Sequence, residues 1–86
     1  MFVIVAYDVR AKRDAKVLKI CRKYLSHEQK SVFEGFLTEA QLNKLKKEIA
    51  KIIDTDYDSF LIYRFDSIKY TAKERIGVHV DNGNII

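Results

Sequence analysis

The sequence predicts an α+β domain, and three observations carry that prediction. Residues 2–6 are an unbroken apolar run, two later stretches place apolar residues at helical spacing, and residues 31–37 and 59–65 are rich in the aromatic and β-branched types that suit strands. The chain has 86 residues. A smaller fragment could not bury a core of its own, so a single domain is expected, with 1–66 as its core and 67–86 as a C-terminal strand and tail. So small a domain gains from oligomerisation.

Residues 1–8 read as the first strand, with Phe2, Ile4 and Ala6 on one face and Val3, Val5 and Tyr7 on the other. A strand apolar on both faces is central and covered twice. Over residues 12–25, Ala15, Leu18, Cys21 and Leu25, joined by Val17 and Tyr24, repeat at helical period with lysines and arginines opposite, which predicts the first helix. Residues 26–29 read as a short edge strand and 31–37 as a firmer one, with Lys30 at a tight turn or bulge between them. Thr38-Glu39-Ala40-Gln41 matches a capping box, and the helix that follows directs Leu42, Leu45, Ile49 and Ile52 inward. The acidic run 54–58 ends that helix. Residues 59–65 then alternate Leu61, Tyr63 and Phe65 against Phe60, Ile62 and Arg64, and residues 72–80 read as a last strand.

The order β-α-β-β-α-β is the ferredoxin-like plan, an antiparallel sheet with both helices on one face. Its other face carries bulky apolar residues that nothing covers. A second copy packing sheet to sheet would cover them, with the C-terminal strand pairing onto the partner's sheet edge, so a homodimer is expected.

The formal charge is +4, and Arg10, Lys12, Arg13, Lys16, Lys19, Arg22 and Lys23 crowd the first helix against Asp14 alone. Such a stripe is either a solvated face or a phosphate-binding surface. Cys21 is the lone cysteine, with apolar neighbours at helical spacing, so a buried free thiol and reducing, cytoplasmic surroundings are expected. No apolar run approaches the roughly 20 residues that span a bilayer, so no membrane partner is expected. There is no glycine-rich phosphate loop and no nucleophile elbow. His27 and His79 lack partners at zinc-ligand spacing. Asp54, Asp56 and Asp58 begin like a calcium loop, but Ser59 stands where glycine is required and Phe65 where glutamate is.

Asp8 stands where the first strand stops and the basic helix is about to begin. A carboxylate there can hold a divalent metal that polarises a phosphodiester and activates water, or it can cap the helix; both roles stay open. One carboxylate per chain is a poor metal site, whereas dimer symmetry would pair two. Phe33 reads as a core side chain, with base stacking as the alternative.

Tyr7-Asp8-Val9, the basic opening around Arg13, the run from Gln29 through Ser31, Val32, Phe33 and Glu34 to Gly35, and Asp58-Ser59 ahead of Ile62-Tyr63 together resemble the CRISPR-associated Cas-two family over nearly the whole chain. The resemblance implies a ferredoxin-like homodimer whose two Asp8 side chains face each other and share Mg2+, with Tyr7 flanking the site. It implies metal-dependent endonuclease activity on phosphodiester bonds of RNA or DNA, and a place beside the CRISPR integrase in the capture of new spacers. It puts Arg13 on a family basic position, Lys16 on a shifted one, and Ser31 and Phe33 near the active cleft. Tyr7, Arg13, Lys16, Ser31 and Phe33 are therefore the expected nucleic-acid contacts. His27 stands where many members carry arginine. The rival role is a non-catalytic DNA-binding scaffold for the integrase, which needs the basic helix but not Asp8.

Overall fold

Alternation along the first strand sets the layers of the molecule. The computed structural model describes residues 1–66 and 74–77. Its elements are β1 (Phe2–Asp8), α1 (Ala11–Tyr24), β2 (Ser26–Gln29), β3 (Val32–Phe36), α2 (Glu39–Ile52) and β4 (Ser59–Phe65). The strands form one antiparallel sheet in the order β2-β3-β1-β4, the ferredoxin-like arrangement. Val3 and Val5 point under the helices and are wholly buried with Val17 and Cys21 of α1 and Leu42, Leu45 and Ile49 of α2. Burial pushes the Cys21 thiol up to about 12, so it is a neutral packing group. No helix among the described residues is long and apolar enough to cross a membrane.

A row of rings crosses the helix-covered face of the sheet, one from each strand. His27 stacks on Phe33 with centroids 4.5 Å apart, Phe33 on Tyr7 at 6.3 Å, and Tyr7 on Phe60 at 5.9 Å. Offset stacks at these separations add to the stabilisation from burial alone. The row fixes the register in which β1 lies between its neighbours, because His27 faces Phe33 and Tyr7 faces Phe60 across the strand pairs. Gly35 lies opposite Val3 on this face, where a Cβ would meet Leu25 Cδ2 at 3.2 Å, so a side chain there would push against Leu25 where it closes over β3.

Local signals end the elements where expected. Lys30 takes a positive φ of 25° at the β2–β3 turn, and a register shift between His27 and Gln29 bulges β2. At α2 the capping box forms in both directions: Gln41 N–H donates to Thr38 Oγ1 (3.1 Å) and Thr38 N–H to Gln41 Oε1 (2.9 Å).

The opposite face of the sheet carries Phe2, Ile4, Ala6 and Asp8, flanked in register by Val32, Glu34 and Phe36 of β3 and by Ser59, Leu61, Tyr63 and Phe65 of β4. Phe36, Leu61 and Tyr63 are 64%, 48% and 49% exposed there. Residues 74–77 lie at the β2–β3 side, where Arg75 pairs with the Glu28 carboxylate, and Glu74, Arg75 and Ile76 share a pocket of about 330 Å³ with Ile4, Val32 and Glu34. These four residues are irregular; the rest of the strand expected at 72–80 lies outside the described residues, as does its pairing with a partner.

Because Phe33 is wholly buried between Tyr7 and His27, Phe33→Ala should cost about 3–5 kcal/mol of stability. Urea unfolding should show the midpoint fall with little change in its slope.

Candidate active site

The corner between β1 and α1 is built by a residue from the far side of the chain. The N-cap of α1 is Arg10, whose side chain makes no capping bond, so the first turn has free backbone donors to satisfy. Asp58 satisfies one of them. Its Oδ1 accepts from the Arg10 N–H (3.0 Å) and from Arg13 Nη2 (2.9 Å), and its Oδ2 accepts from Arg13 Nε (2.5 Å) and from the Asp54 N–H (2.8 Å). The Asp58 side chain is fully buried and that of Arg13 nearly so. The Arg13 guanidinium, supported by the two backbone donors, holds the Asp58 carboxyl well below the usual carboxylate range. The same hydrogen bonds raise the pKa of Arg13.

Asp8 is left outside this network. It is exposed at the end of β1, in register with Ser59, and makes no hydrogen bond or ion pair with any described residue. The capping role open to it in the sequence is therefore not the one it fills, since Arg10 is the N-cap and Asp58 supplies the carboxylate. Asp8 shares the uncovered apolar face with Ile4 and Ala6. Among the described residues no three acidic, histidine or cysteine side chains gather where they could hold a metal, and Asp8 by itself is a poor ligand set.

The other expected site residues divide. Tyr7 adjoins Asp8 in sequence but points to the opposite face, is 6% exposed, and has its phenol pKa raised by burial. It therefore does not flank the Asp8 carboxylate, and its ring is not offered to nucleic acid. Phe33 has no exposed surface, so its expected contact with a base is corrected to a place in the core. Arg13 is committed to Asp58 rather than held out for phosphate. Ser31 touches the corner through its backbone, its carbonyl accepting from the Tyr7 N–H at 3.1 Å. Lys16 is exposed on α1 with Lys12, Lys19 and Arg22, and these four make no ion pair among the described residues. The stripe is narrower than its sequence suggests, because Lys23 pairs with Glu48, which Tyr24 also bonds. Asp58 was missed as a site residue; its signal was an acidic residue just ahead of a strand whose partner ends at a basic helix start.

The model of the family described as CRISPR associated protein Cas2 matches residues 1–73. The chain belongs to the Cas2 family. It is 49% identical over 78 residues to a protein of Thermotoga maritima named CRISPR-associated endoribonuclease Cas2, covering 91% of this chain and 90% of that protein. A Thermodesulfovibrio yellowstonii relative, named CRISPR-associated endoribonuclease Cas2 3, is 40% identical over 86 residues, 99% of this chain and 98% of its own. A crystal structure described as cas2 matches with a TM-score of 0.82 at 42% identity, covering 92% of this chain and 88% of that one. Streptococcus pyogenes Cas2 matches with a TM-score of 0.76 at 33% identity, over 90% of this chain and 100% of that one. Within the Cas2 fold, then, the exposed Asp8 carboxylate and the Asp58-held helix start form the corner at which chemistry is to be sought.

A carboxyl held down in the folded state stabilises it at pH above its unfolded value, about 3.9, and that contribution is lost as pH falls through the lower folded value. Asp58→Asn should therefore lower the melting temperature at neutral pH and flatten the acid limb of a stability profile. Thermal melts of both proteins from about pH 2 to pH 7 would measure this.

Proposed function

We propose that the chain is a homodimeric, Mg2+-dependent endoribonuclease of CRISPR adaptation, with paired Asp8 carboxylates at its centre. The observation that carries this reading is the placement of Asp8: an exposed carboxylate without a partner among the described residues, on a sheet face where Phe36, Leu61 and Tyr63 are exposed. A two-fold copy packed on that face brings a second Asp8 toward the first, which turns a poor ligand set into a usable one. The names of the relatives, endoribonucleases, favour RNA as the substrate.

Asp8 from each protomer would hold the metal, which when bound supplies charge stabilisation at the scissile phosphate and acidifies water. The chain's own residues do the rest. Pairing of β1 with β4, Asp8 beside Ser59, sets where each carboxylate projects. Lys12, Lys16, Lys19 and Arg22 raise the local concentration of a polyanion along α1. Asp58 keeps the start of α1 beside the site and leaves Asp8 free of the helix.

The exposed cationic stripe also favours a second reading, a DNA-binding dimer that serves as scaffold for the CRISPR integrase without cleaving. Cleavage of single-stranded RNA by wild type and Asp8→Asn, with Mg2+ or EDTA and at matched dimer content, separates the two. The nuclease reading expects a loss of at least about a hundredfold in Asp8→Asn and in EDTA, with the fold intact because Asp8 is exposed. Equal traces in both proteins would favour the scaffold.

Dimerisation is tested on its own face. Leu61→Asp places a charge amid the apolar strip, and sedimentation should show it shift toward monomer and lose metal-dependent cleavage while its circular dichroism is unchanged.

A further inference from the structure

Tyr57 is 62% exposed although it sits in a tightly bonded turn. Its N–H donates to the Asp54 carbonyl at 3.0 Å, the Asp58 N–H donates to the same carbonyl at 2.7 Å, and the Asp56 N–H donates to Asp54 Oδ1 at 2.9 Å. The ring is thus held out by a fixed backbone rather than drawn into the core. A lone exposed aromatic needs no explanation, but this one has a cation over it: Arg10 Cζ lies 4.1 Å from the ring centroid, a cation–π distance.

The pair sits at the end of the β1–β4 ladder. Ser59 is the register partner of Asp8 and Tyr57 precedes it by two residues; Arg10 follows Asp8 by two, so its Cα lies at most about 7 Å from that of Asp8, and its guanidinium rests on the Tyr57 ring. Both are anchored through Asp58, which binds the Arg10 backbone N–H and follows Tyr57 in the chain. Tyr57 follows the exposed Asp56 in the chain and offers an aromatic face, so the part of a nucleic acid that fits over it is a base.

Resting on the nuclease reading above, we propose that Tyr57 and Arg10 form a base-stacking subsite that receives the nucleobase next to the phosphate held at Asp8 in a single-stranded RNA. Stacking on Tyr57 places the neighbouring nucleotide, and Arg10 stiffens the platform while contributing positive charge. Because every base has a π face, the subsite orients the strand without selecting sequence.

The test measures binding of a short fluorescent single-stranded RNA in EDTA to dimers carrying Asp8→Asn, alone or with Tyr57→Ala or Tyr57→Phe. Loss of one stacked base weakens binding about 5- to 150-fold, so Tyr57→Ala should fall in that range while Tyr57→Phe keeps the parent affinity. A scan with single abasic nucleotides should find one position that weakens binding to the parent and has no further effect on Tyr57→Ala. Equal affinity of Tyr57→Ala and parent, or a loss in Tyr57→Ala that no abasic position reproduces, overturns the subsite. A scan that finds no sensitive position on the parent overturns the subsite even if Tyr57→Ala folds poorly. Metal-dependent cleavage by wild type against Asp8→Asn is judged separately, so failure of the subsite and failure of the nuclease reading give different results.

Discussion

The corner of the molecule depends on one buried carboxylate. Asp58 has no exposed side-chain surface, and a charge in that position is tolerated only because four N–H groups converge on it. The donors come from the start of α1 and from the turn that ends α2, so the ion pair binds together two segments more than 40 residues apart in sequence. It also replaces the cap that the sequence of α1 lacks. Since the helix start is satisfied from elsewhere, the last residue of β1 is not drawn into capping and keeps its carboxylate for another use.

A second division of labour follows from the pleat. Tyr7 and Asp8 are neighbours in sequence with opposite fates: the ring joins a stack that crosses all four strands beneath the helices, and the carboxylate emerges on the open face. Tyr7 and Phe33 thus bear on the site through the register of β1. Their presence in the motif that resembles the family reflects where β1 must lie.

Much of this was legible in the sequence because the signals are local. The capping box at Thr38 and Gln41, the alternation in 59–65 and the helical spacing of Leu42, Leu45 and Ile49 all act within a few residues, and each element formed where they placed it. Alternation in 1–8 already put Tyr7 on the face opposite Ala6, and hence opposite Asp8; placing Tyr7 beside the metal came from the resemblance and ignored that period. The role of Asp58 was not legible. Its partners are fixed by the tertiary approach of the 54–58 turn to α1, and in sequence it was one of three aspartates that read equally well as a helix stop. Arg13 was misread for the same reason: a charge in a basic run looks available until its partner is known.

The position of Asp8 on the uncovered face has a thermodynamic corollary. In the proposed dimer, a second copy that buries Phe36, Leu61 and Tyr63 would also complete the ligand set, so association of protomers and binding of the cation would be linked equilibria. Linkage is reciprocal: whatever factor the cation adds to the affinity between protomers, the second protomer adds to the affinity for the cation. Protein concentration would therefore act as an effector of the proposed metal site, and a dilute chain would respond to magnesium less steeply than a concentrated one.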